Sequence, residues 1–95
     1  MFFGSYRFTG DPTELAAAYD RFMTNVPEDQ LFVHVCVKTD EGLVVYDTCP
    51  SRADFHAFSI DPQVLAAMQQ AGLPAPQIDE VGDVHTAKAP ALVQR

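Results

Sequence analysis

Along this chain the spacing of hydrophobic positions switches between about two and about 3.6 residues, and the switches mark out strands and helices. Phe2 to Phe8 (FFGSYRF) is aromatic-rich and roughly alternating, which predicts a first strand ended by Gly10. Beyond it Leu15, Ala18, Tyr19, Phe22, Met23 and Val26 recur at three and four, one apolar face of a helix ending near Asn25 and Pro27. Two β-like runs follow, Leu31–Lys38 (LFVHVCVK) and Leu43–Cys49 (LVVYDTC), joined by a tight hairpin turn at Thr39-Asp40-Glu41-Gly42. Pro50-Ser51 stops the third strand. Ser51, with Asp54 three residues on, opens a helix that carries Phe55 and Phe58 on one face. Gln77 to Ala87 reads as a fourth strand. Residues 1–87 form one domain, and residues 88–95, with alternating Ala and Pro, form an irregular tail.

One unit occurs twice. Asp11-Pro12 precedes Leu15-Ala16-Ala17, and Asp61-Pro62 precedes Leu65-Ala66-Ala67. In the first copy Asp11 fits an N-cap, Pro12 fits N1, where its missing N–H costs nothing, and Glu14 fits N3. The second copy falls inside the Ser51 helix. A proline in mid-helix costs about 3 kcal/mol, so a break is expected at Ser59 to Asp61, with Asp61 capping a new segment that carries Val64, Leu65 and Met68. Gly72 is placed to end it, and Pro74 and Pro76 prevent its continuation. The element order is therefore β-α-β-β-α-β, a split βαβ duplication and an α+β class.

Composition narrows the partners. The 95 residues are 47% hydrophobic and 20% charged, ordinary for a globular domain, with a formal net charge of −7. The six basic residues, Arg7, Arg21, Lys38, Arg52, Lys88 and Arg95, form no stripe, which argues against nucleic acid and anionic membrane surfaces as partners. No run is long enough to cross a membrane and the first residues lack a signal-peptide pattern, so a cytoplasmic location and reduced cysteines are expected. A chain of this size buries a modest core, and a large internal cavity would need a second subunit to close it.

The segment VYDTCPSRADFHAFSIDPQVLAAM resembles the dimeric α/β-barrel superfamily and its antibiotic-biosynthesis-monooxygenase-like members. Tyr46, Asp47, Ser51, Arg52, Phe55, Pro62 and Val64 fall where that pattern places their counterparts. FVHVCV, with a His on the second strand, and GDVHTA, with a His near the end of the fourth, are similar to small actinobacterial members. The resemblance covers about Phe2 to Thr86. It implies a ferredoxin-like protomer, an antiparallel sheet of order 4-1-3-2, and a homodimer whose two sheets form a barrel with the helices outside. It also implies cofactor-independent oxygenase or cyclase chemistry on an aromatic, polyketide-like molecule. The chain departs from the pattern in places: Cys49 stands where many members have Trp, Phe58 where many have a helix His, and there is no Trp at all. Those departures leave haem breakdown unsupported.

The candidate site residues follow from strand alternation. On the second strand Val33, Val35 and Val37 share one face, while Phe32, His34, Cys36 and Lys38 share the other. The aliphatic face is expected under the helices and the mixed face inside the implied barrel. His34 there would serve as the acid/base group near neutral pH. Arg7, alternating with Ser5 and Phe3, and Tyr46, alternating with Val44 and Thr48, would orient a polar group on a mostly apolar ligand, with Arg7 stabilising an oxyanion. The expected catalytic group is thus His34, Arg7 and Tyr46. The expected ligand contacts are Phe3, Ser5, Phe32, Cys36, Thr48, Phe58 and His85, the last reached across the implied dimer. An alternative is a non-catalytic accessory dimer whose barrel is filled by side chains such as the seven Phe.

Other chemistry is not indicated. No compact ligand spacing suggests a metal, and no phosphate loop, dinucleotide fingerprint or serine elbow suggests a cofactor. Hairpin register sets Cys36 opposite about Val45 or Tyr46, and Cys49 opposite about Phe32 or Val33, too far out of register for a disulfide. His56, at a helix start, is expected to face solvent. Asp47 is expected to bind a backbone amide or to pair with Arg7 or Lys38.

Overall fold

A computed structural model describes residues 1–27 and 33–88. The elements run β1 (Phe2–Thr9), α1 (Pro12–Met23), β2 (His34–Thr39), β3 (Gly42–Cys49), α2 (Arg52–Ile60), α3 (Pro62–Ala71) and β4 (Gln77–Asp83). They form an α+β domain. Its four strands are antiparallel in the order β2-β3-β1-β4, the expected 4-1-3-2 read from the other edge. The fourth strand stops at Asp83, four residues short of the expected Ala87. Phe32, expected on the second strand, lies outside the described residues.

Both Asp-Pro units cap helices. Asp11 accepts from the Glu14 amide at 2.9 Å and Asp61 from the Gln63 amide at 2.8 Å, each with proline opening the helix behind it. Asp61 breaks the long helical pattern into α2 and α3, as the proline requires. The duplication ends at the caps. Leu15 is buried, whereas Leu65, its counterpart, is exposed, and α3 packs through Met68 instead. Gly72 closes α3 at φ 103°, a left-handed turn that other residues rarely adopt. The Arg21 Nε donates to the Ala71 carbonyl at 3.0 Å, placing a cation at the C-terminal end of α3.

All three helices lie on one side of the sheet. The core there is Phe2, Tyr6 and Phe8 of β1, Leu43 and Val45 of β3, Leu15 and Ala18 of α1, Phe55 of α2, Met68 and Leu73. Phe55 is fully buried and sits on the backbone of β1, because Gly4 offers it no side chain: a Cβ at Gly4 would lie 2.1 Å from the ring. Phe55 also packs against the rings of Phe2 and Tyr6, with centroids 5.6 and 5.2 Å away. Among the described residues no helix covers the other side of the sheet.

Candidate functional site

The β2–β3 hairpin decides where the chemistry sits. Its two-residue loop pairs Thr39 with Gly42, and counting back along the ladder pairs Cys36 with Val45 and His34 with Asp47. Val45 and Asp47 share a face with Tyr6 and Gly4, their partners on β1, and that is the face beneath the helices. His34 and Cys36 therefore point at the core, not at the open face expected for them. Val33, Val35 and Val37 lie opposite, each 39% exposed on the uncovered side. The expectation that the aliphatic face lies under the helices is reversed.

The reversal has a polar cause. His34 Nδ1 lies 3.3 Å from Asp47 Oδ1, both side chains 14% exposed, and His34 Nε2 lies 2.5 Å from the Tyr19 hydroxyl of α1. The Tyr19 and His34 rings stack at 5.9 Å. An ionised Asp47 only accepts, so Nδ1–H donates to it, and Nε2 of the neutral ring accepts the Tyr19 O–H. Carboxylate, imidazole and phenol thus form one directed chain from β3 through β2 to α1. Burial, with smaller effects from Cys36, Asp20 and Asp47, pushes the Tyr19 phenol up to about 12. Asp47 pairs with His34 rather than with Arg7 or Lys38. A cavity of about 50 Å³ adjoins this chain, and Phe58 lines it from α2.

Arg7 and Tyr46 remain together on the open face, away from His34, so the expected catalytic group of three is divided by the sheet. Phe3 and Tyr46 stack there with centroids 5.9 Å apart. Ser5 stands opposite Tyr46 and Thr48 opposite Phe3, so three of the expected contact residues share one patch with Arg7 and Tyr46. At the end of this face a groove of about 540 Å³ runs between Phe3, Val33 and Thr48 and the segment Val81 to Ala87, which includes His85. His85 lies beyond the end of β4 and is exposed. A bulge in the β1–β4 ladder between Phe3 and Gly4 interrupts strict alternation along β4 near Val81.

The remaining groups are structural. Cys36 and Cys49 are free, and burial drives both thiols up, Cys36 to about 11. His56 is exposed as expected, and with Arg52 it clasps Glu80 of β4 at 3.0 and 2.8 Å. Those two hydrogen bonds, His56 first, hold the Glu80 carboxyl below its ordinary value. No group of three or more His, Cys, Asp or Glu side chains among the described residues is placed to hold a metal ion. No helix among them is long and apolar enough to cross a membrane. No protein-family model, curated protein or solved structure matches this chain.

Proposed function

We propose that this chain works as a homodimer whose open sheet faces close on each other around a small apolar or aromatic molecule. The observation that carries the reading is the row of Val33, Val35 and Val37, each 39% exposed, on the sheet face that no helix among the described residues covers and that also holds the 540 Å³ groove. That volume is in the range of small-molecule sites, whereas the cavity between the helices and the sheet beside His34 measures about 50 Å³. Charge supports a second copy as the cover. The chain carries a net −7, yet the ladder places Arg7 beside Asp79 on this face and Asp83 adds one more anion at the groove, so two such faces meet with far less charge than the whole chains carry.

In the closed dimer Phe3 and Tyr46 form an aromatic wall and Arg7 supplies the polar contact that orients a ligand, above the buried Ser5 and a Thr48 hydroxyl tied to the Val33 backbone. His85 stands at the rim. The cofactor-independent oxygenase or cyclase chemistry implied by the resemblance would draw on Arg7, Tyr46 and His85, since His34 lies on the other side of the sheet. Native mass spectrometry of protein purified from its own host tests the reading. A dimer carrying an additional small mass is the expected result. A dimer with no added mass supports the side-chain-filled accessory instead, and a monomer overturns both.

A further inference from the structure

On the helix side of the sheet lies a second arrangement that owes nothing to the dimer, because it is contained within one protomer. The Tyr6 side chain, 3% exposed, lines the 50 Å³ cavity, and its hydroxyl, enclosed just behind the cavity wall, has no hydrogen-bond partner among the described residues. An unsatisfied buried hydroxyl costs about 1–3 kcal/mol, so a group that accepts from it gains that much in advantage. Tyr19, His34 and Asp47 line the same cavity, and the rest of the wall is apolar, with Phe22, Met23, Val26 and Phe58 among it.

We propose that this cavity is a binding site for a small neutral carbonyl compound whose oxygen accepts the Tyr6 O–H once the phenol tip shifts into the cavity. Three features set that class. The Tyr6 phenol is driven far up by burial and by Asp47 and Cys49, so it stays a donor throughout the physiological range. Among the described residues no Lys or Arg lines the cavity and Asp47 does, so a carboxylate would be stripped of water beside a like charge. The volume exceeds what one water needs but is well under the ~150 Å³ that takes up a benzene, so only a short polar end enters. The apolar body of the ligand then lies at the more exposed end of the lining, where Phe58 is exposed and Met23 and Val26 are half-buried. Because Tyr19 is already committed to His34, Tyr6 is the residue that selects for an acceptor.

The test is an amide NMR titration of the full chain with acetophenone, ethylbenzene and benzoate, repeated on Tyr6→Phe. Acetophenone is expected to shift the amides of Tyr6, Tyr19, His34 and Val45, to bind at least fivefold more tightly than ethylbenzene, and to lose that margin in Tyr6→Phe. Benzoate is expected to leave those amides unmoved. Met23→Trp, a change at the half-buried lining rather than in the core, is expected to block binding with the fold intact. Equal affinity for ethylbenzene, an unchanged margin in Tyr6→Phe, or no acetophenone shift at these amides, as when water alone fills the cavity, overturns the proposal. Shifts confined to Phe3, Thr48 and His85 also overturn it while favouring the open-face site, so the two readings fail separately.

Discussion

The Tyr19 hydroxyl and His34 Nε2 lie 2.5 Å apart and tie α1 to the edge strand β2, with Asp47 holding the far side of the imidazole. β2 is the outermost strand on its side, with β3 as its one neighbour in the sheet. A hydrogen bond to α1 therefore fixes which of its two apolar faces turns inward. His34→Ala removes that bond and leaves a half-buried carboxylate without its partner. The expected loss is about 2–3 kcal/mol in urea unfolding. In a double-mutant cycle with Tyr19→Phe, a coupling of at least about 0.5 kcal/mol is expected, and simple additivity would deny the chain.

Gly4 and Phe55 make a second dependency. A methyl group at Gly4 would lie 2.1 Å from a fully buried ring, so Gly4→Ala must displace Phe55 from the centre of the core. The expected cost is about 1–3 kcal/mol, seen as a lower urea midpoint. In a Phe55→Ala background, itself about 3–5 kcal/mol less stable, Gly4→Ala should cost less, since the clash is then gone.

Tyr6→Phe behaves in the opposite sense. The hydroxyl it removes is buried and unpaired, so ligand-free protein should be unchanged or stabilised by about 1 kcal/mol. A clear loss of stability would mean that the hydroxyl has a partner.

Alkali probes the buried acids together. Tyr6, Tyr19 and Cys36 all have raised values in the folded chain, so above the ordinary thiol and phenol values the unfolded state releases protons that the folded state keeps. Their contribution to stability is complete below about pH 9 and is lost as the pH rises through the folded values. The urea midpoint should therefore fall from about pH 9 upward, less steeply in Cys36→Ala. At neutral pH both thiols should react slowly with a disulfide reagent, because little thiolate is present.

Much of the fold was legible because its signals are local. Asp11, Ser51 and Asp61 each sit before a helix with the right residues behind them, and each caps one. The facing of β2 was not local. Val33, Val35 and Val37 make the more apolar face against Phe32, His34, Cys36 and Lys38, so hydrophobicity points the valines inward, and alternation shows only that the two sets part. The deciding signal lay in the hairpin count, where a two-residue loop at Asp40-Glu41 brings His34 level with Asp47. An imidazole and a carboxylate side by side, under a helix whose apolar stripe includes Tyr19, form a satisfied inner group. The open-face set fared better: Phe3, Ser5, Arg7, Tyr46 and Thr48 share one face, because parity on paired strands fixes it. Tyr6 carried no such mark. Its hydroxyl is exceptional through the lack of a partner, which only packing reveals.

The most direct test of the central claim is sedimentation velocity of the wild-type chain beside Val35→Glu. Val35 lies in the middle of the exposed valine row and takes no part in the core, so the charge should leave the protomer folded. A wild-type dimer that becomes a folded monomer in Val35→Glu is the predicted result. A wild-type monomer, or a dimer that Val35→Glu leaves unchanged, would contradict closure through the open sheet face.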